Sequence, residues 1–90
     1  MAYARAAVAL PNKNTWVKVA SNYTLGWIEI KEQTKQDYFY TAVATSGAAP
    51  TDESTAIKIS DAIMYLNHTV AIDVYMLCRN DNGSVVVSHD

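Results

Sequence analysis

Residues able to do chemistry are thinly spread along this chain of 90 residues. A metal site needs His, Cys or carboxylate ligands clustered at spacings such as Cys-x-x-Cys or His-Glu-x-x-His. Here His68 sits in the turn-forming step Asn67-His68-Thr69, His89 stands far from it, and Cys78 is the single cysteine. No metal or other cofactor is expected. Nucleophilic catalysis would pair Cys78 or a serine with a histidine and a third orienting group. Cys78, however, alternates with core-type residues and reads as a small buried hydrophobe. Glu29, Asp37, Asp61 and Asp73 could supply paired carboxylates, but nine acidic residues are an ordinary solvated complement for a domain of this size. The three glycines are too far apart for a phosphate-cradling loop. A non-enzymatic protein is expected.

Binding chemistry is better represented. Trp27, Tyr38 and Tyr40 are aromatic residues that could stack on a sugar ring, or form an interface between subunits, since tyrosine brings large area at low entropic cost. The alternative for Tyr38 and Tyr40 is packing under a loop or against a second sheet. Asn22, Asn67 and Asn82 each open an Asn-x-Ser/Thr glycosylation pattern, which loop composition suffices to explain without a secretory signal.

These residues must be positioned by strands. Residues 71–79 and 84–88 are two runs rich in β-branched and aromatic side chains that flank Asn80-Asp81-Asn82-Gly83, and the spacing predicts a β-hairpin. Ile72, Val74, Met76 and Cys78 share one face of the first run, and Val85 and Val87 form a short stripe on the second. Further strands are expected over 16–20, with Val17 and Val19 opposite Trp16 and Lys18, and over 25–30, with Ile28 and Ile30 opposite Trp27 and Glu29. Gly26 suggests a bulge or a close backbone approach. Residues 38–45 form the most aromatic strand, with Phe39 and Val43 on one face and Tyr38 and Tyr40 on the other.

Residues 21–24, 31–37 and 46–54 read as loops, with a single helical turn as the alternative for 31–37, and the last is a small-residue stretch around Pro50. Residues 55–60 resume alternation with Ile57 and Ile59 inward, and 61–66 form a connection that could equally be a helical turn. Six to eight short strands at roughly ten-residue spacing predict an all-β fold, a small antiparallel β-sandwich or barrel. Residues 1–10 are expected to form an N-terminal arm, with Tyr3, Val8 and Leu10 suited to lie across a neighbour, a helix start, an edge strand or a frayed end being the alternatives, and 11–90 a single domain.

A chain this short buries a limited core, so association with copies of itself or with a partner is expected. One cysteine cannot form an intramolecular disulfide, which favours a reducing compartment. The apolar run near the N-terminus is broken by Arg5 and ends at Pro11, and is not expected to be a signal peptide. No stretch approaches the ~18–20 apolar residues of a membrane helix, so a soluble protein without a membrane partner is expected. A net charge of −2 with both signs interspersed disfavours nucleic-acid binding.

Several of these segments together resemble a group of short virion proteins of tailed bacteriophages. The resemblance is carried by Thr15-Trp16-Val17-Lys18-Val19, Gly26-Trp27-Ile28-Glu29-Ile30, Tyr38-Phe39-Tyr40-Thr41-Ala42-Val43, Ala49-Pro50, Ile72-Asp73-Val74-Tyr75 and Gly83-Ser84-Val85-Val86-Val87. It implies a small β-sandwich, commonly homotrimeric, that is made in the host cytoplasm and resides in the virion. The function implied is that of a capsid decoration or cement protein bridging major capsid subunits, or of a tail, neck or fibre-attachment adaptor. By the same analogy residues 3–10 would cross onto a neighbour and 46–54 would serve contact or exposure. Cys78 and the polar segment 31–37 depart from the group's pattern. A small carbohydrate-binding module, monomeric and dependent on Trp27 or Tyr40, is the reading from outside this group.

Overall fold

Period-two alternation of apolar residues forces extended chain, because only in a strand do residues two apart share a face. The computed structural model describes residues 3–30, 37–59 and 61–90. It contains six strands, β1 (Ala4–Leu10), β2 (Val17–Ile30), β3 (Tyr38–Ala44), β4 (Ile57–Lys58), β5 (Ile63–Cys78) and β6 (Gly83–His89), and no α-helix among the described residues. All pairings are antiparallel within one sheet of order β1-β6-β2-β5-β3-β4. The all-β antiparallel expectation holds, and the six strands fall within the expected six to eight, but β2 and β5 are much longer than the sequence pattern suggests.

Two long strands organise the sheet. The runs expected at 16–20 and 25–30 are one strand, β2, and the loop expected over 21–24 is an irregularity within it. The register against β5 shifts repeatedly between Lys18 and Leu25, and Asn22 adopts a positive φ of 54°. Shifting a strand by one residue exchanges its faces. Val19 and Tyr23 therefore point into the core from odd positions, and Ile28 and Ile30 from even ones. β5 answers the bend with surplus chain: Tyr23 faces Ile72 and Leu25 faces Asn67, so 68–71 bulge away from β2. The Asn67-His68-Thr69 step thus lies inside a strand, and the 61–66 connection mostly belongs to β5 rather than to a helical turn.

The C-terminal hairpin is corrected by the sheet order. β5 and β6 are not neighbours, since β2 lies between them. Residues 79–82 form an arch from one half of the sheet to the other. Its backbone bonds leave the turn: the Asn82 N–H donates to the Pro11 carbonyl, the Arg79 N–H to Asp37, and the Cys78 carbonyl accepts from the Asn14 N–H. Asn82 carries the positive φ of 63°. Gly83 serves close packing, because a Cβ there would lie 2.9 Å from the Tyr38 Oη and 3.0 Å from the Cys78 Sγ. The sequence signal is equally good for either reversal, and only these distant partners choose between them.

The inner face collects Leu10, Val19, Tyr23, Ile28, Ile30, Tyr38, Ile59, Val74, Met76, Cys78, Val85 and Val87 into one cluster. It draws on both margins of the sheet, which must therefore curl around it. Residues 4–10, expected as an arm, are the edge strand β1, paired with β6 along their whole length. Of the 55–60 run only Ile57–Lys58 form a strand. Ile59 is buried, but Ile57, at the opposite edge, is exposed rather than inward. The loop expected over 31–37 lies outside the described residues apart from Asp37.

Candidate functional site

The outer side of the sheet has two halves with opposite fates. Over β3 and the end of β5, the chain between β3 and β4 is strapped across the surface. The Trp16 Nε1–H donates to the Asp52 carbonyl at 2.9 Å, and Thr41 donates to the Thr55 Oγ1 at 3.0 Å. Arg79 forms a bidentate pair with Glu53 and lies 4.6 Å from the centre of the Phe39 ring. Beneath this strap Leu77 is 0% exposed and Tyr75 is buried, although both point away from the core.

Asp73 is the hinge of that arrangement. Its carboxylate is buried and accepts the backbone N–H of Ser46 at 3.2 Å and of Asn22 at 3.3 Å, with the Lys18 Nζ 3.4 Å away. It therefore holds the start of the strap and the irregularity of β2 together, and both of those residues have positive φ. Burial pushes the Asp73 carboxyl up, but the two amides and the Lys18 ammonium outweigh it and leave the group below its usual value. Hydrogen bonding to Arg79 likewise holds Glu53 below the ordinary carboxylate range.

Over β6, the end of β2 and the start of β5, the described chain lays no such strap. The register sets Trp27 beside Tyr65 on one side and Ser88 on the other, with Glu29 beside Ile63 and Val86. Tyr3 leans on Trp27 with ring centres 5.4 Å apart and planes at 45°, and Tyr65 lies 6.1 Å from Trp27 at 49°. Tyr65 is 70% exposed, and Tyr3, Leu25 and Ile63 are also exposed. One charged pair crosses this face. Arg5 reaches Glu29 with two bonds, of 2.6 and 2.9 Å, and the Trp27 indole N–H donates to the same carboxylate at 2.9 Å. Hydrogen bonding to Glu29 raises the Arg5 guanidinium above its usual value, with desolvation opposing it. The result is an aromatic, charge-balanced surface of the composition favoured at the centres of protein interfaces.

Of the residues proposed for an interface, only Tyr3 belongs to this surface. Leu10 and Tyr38 are fully buried within the chain, and Val8 and Tyr40 pack against the core. The Tyr38 phenol is engaged with Ser84, accepting its backbone N–H at 3.1 Å. The tyrosine face of β3 is thus a core face, which separates Tyr38 and Tyr40 from Trp27. Tyr65, Ile63 and Leu25 were not legible as site residues. Ile63 and Tyr65 do alternate with Met64 and Leu66, a two-residue period that marks a strand, but the cluster of apolar residues at 63–66 reads as well as a helical turn.

The remaining chemistry-bearing residues lie apart from one another. Cys78 is buried in the core, and its Sγ accepts from the Asn80 N–H at 3.4 Å. His89 stacks on Tyr23 with ring centres 5.2 Å apart, and its Nδ1 is buried without a hydrogen-bond partner. Asp37 accepts from the Asn80 side chain, and Asp61 is exposed. Among the described residues no three His, Cys, Asp or Glu side chains come together as a metal site, and there is no enclosed pocket. No helix among them is long and apolar enough to cross a membrane. No protein-family model, curated protein or solved structure matches the chain.

Proposed function

We propose that this chain is a structural protein of a tailed-bacteriophage particle, a capsid decoration or cement protein that bridges major capsid subunits. The observation that carries the docking role is the uncovered face of Tyr3, Trp27, Tyr65, Ile63 and Leu25, with its charge neutralised by the Arg5–Glu29 pair. The assignment to a phage particle comes from the resemblance of the Trp16, Trp27, Tyr38, Asp73 and Gly83 segments to such proteins.

The mechanism is addition of buried surface. A specific interface buries about 1,200–2,000 Å² in total, and a few desolvated aromatic residues carry most of its energy. Trp27, braced by Tyr3 and by its bond to Glu29, is already held in place, so docking costs it little side-chain entropy. Tyr38 and Tyr40 belong to the core side, which separates them from Trp27 and weighs against a sugar platform made of the three.

Peptide mass spectrometry of density-purified particles from a phage whose genome encodes this chain tests the reading. Stoichiometric presence in the head fraction is expected. Presence in the tail fraction alone would move the assignment to a tail or neck adaptor, and absence from particles would overturn it.

A further inference from the structure

The sheet order interleaves the two ends of the chain. β1, β2 and β3 come from residues 4–44, and β4, β5 and β6 from residues 57–89. In the order β1-β6-β2-β5-β3-β4 the two sets alternate without exception, so each of the five strand pairings joins a strand of one half to a strand of the other. Among the described residues no strand pairs with another of its own half. Backbone bonds outside the strands follow the same rule: the Ile30 N–H donates to the Ala62 carbonyl, the Ile59 N–H to Tyr38 and the Arg79 N–H to Asp37. The core is shared in the same way, with Tyr23, Ile28 and Tyr38 of one half packed among Val74, Met76 and Val85 of the other. Each half is therefore a partner for the other rather than a unit in itself, because three strands with no pairing among them leave their backbone groups unsatisfied. Residues 45–56, which join the halves, belong to no strand, and 45–55 are exposed apart from half-buried Pro50.

We propose that two copies of this chain exchange halves, residues 4–44 of each pairing with residues 57–89 of the other, with 45–56 as the hinge. Contacts between the halves are the same whether both belong to one chain or come from two. Exchange thus keeps every strand pairing and reroutes only the hinge, and the second copy is bound by the contacts that build the fold. What separates the closed chain from the exchanged dimer is concentration. A short tether holds its two ends at an effective concentration of about 1 mM, so a second copy competes only as the chain approaches that value. Once folded, a chain exchanges only by giving up all five pairings together, and the form reached on folding persists.

The test is the solution mass of the full chain by light scattering after refolding from denaturant at concentrations up to about 1 mM. The dimer fraction is expected to rise with the concentration of refolding and to survive dilution, while chain folded dilute and then concentrated stays monomeric. A mass set only by the final concentration would overturn the proposal, and so would a monomer after refolding at every concentration. Deleting residues 46–55 sharpens the test. β4 begins opposite Tyr40, four residues back from Ala44 and so about 13 Å along the strand. The shortened chain has three Cα steps to cover that distance, at most about 11 Å. It closes on itself only by giving up β4 and the burial of Ile59. A dimer is expected at concentrations where the unaltered chain is monomeric, and a folded monomer of this variant would overturn the exchange. Should circular dichroism show that the variant does not fold, the refolding series of the unaltered chain decides alone. The proposal does not rest on the virion reading, which particle composition tests separately.

Discussion

The two outer halves of the sheet are built from the same strands, yet one is sealed and the other is open. β2 and β5 cross both. Over the sealed half, Leu77 and Tyr75 point outward and are buried because residues 46–55 are tied over them at Asp73, Trp16, Arg79 and Thr41. Over the open half, Tyr65 and Ile63 point outward from the same β5 strand and remain exposed. Outward apolar residues thus differ in fate, Leu77 and Tyr75 being buried on the strapped half while Tyr65 and Ile63 stay exposed on the other. On that other half the outward Val86 and Ser88 of β6, beside Glu29 and Trp27, are buried. Those under the strap add a second small core. Those left exposed form a surface that a partner can cover at little cost in ordering.

The sharpest test of that contrast is truncation on each side. Leu77→Ala opens a cavity under the strap and is expected to cost about 2–5 kcal/mol in denaturant unfolding. A loss below about 1 kcal/mol would mean that the strap does not seal that half. Acidification attacks the sealed half through its anchors. Asp73 and Glu53 both titrate below their ordinary values of 3.8 and 4.5 in the folded chain. Their contribution to stability is complete above those values and is lost as pH falls through and below them. Hydrogen exchange at the Ser46 amide should therefore accelerate below about pH 4 relative to that of β6 amides, an acceleration that Asp73→Asn should reduce.

A smaller effect is expected from Trp16→Phe, which keeps an aromatic ring, though a smaller one, and removes the indole N–H bond to the Asp52 carbonyl. The expected loss is about 0.5–1.5 kcal/mol, read as a shift of the unfolding midpoint at constant slope. On the open half, Tyr65→Ser should change stability by no more than about 0.5 kcal/mol, and under the proposed virion role it should lower the copy number of the chain in particles. If it instead destabilised the isolated chain by 2 kcal/mol or more on the scale of core truncations, Tyr65 would be part of the fold rather than of a docking surface.

Much of the strand pattern could be read from local alternation. The inward set Ile72, Val74, Met76 and Cys78, the pair Val85 and Val87, the opposition of Ile28 and Ile30 to Trp27, and the strand at 38–44 all follow from period-two spacing, which depends only on backbone geometry. Turn-forming residues marked 46–54 and 80–83 as breaks for an equally local reason. Face identity was harder. Alternation places Tyr38 and Tyr40 together, but it does not say that their side is the core, because tyrosine suits either environment.

What local pattern cannot carry is partnership between distant segments. That β6 joins β1 and β2 rather than β5, that 4–10 fills an edge instead of projecting, and that Asp73 ties Asn22 to Ser46 all depend on groups far apart in sequence. An Asn-Gly reversal serves a hairpin or an arch equally well, and only the bonds from Asn82 to Pro11 and from Asn14 to Cys78, with the fit of Gly83 against Tyr38, select the arch. The same holds for the open face. Tyr3, Trp27 and Tyr65 lie on three separate segments, and the pairing of β2 with β5 and β6, and of β6 with β1, brings their rings together.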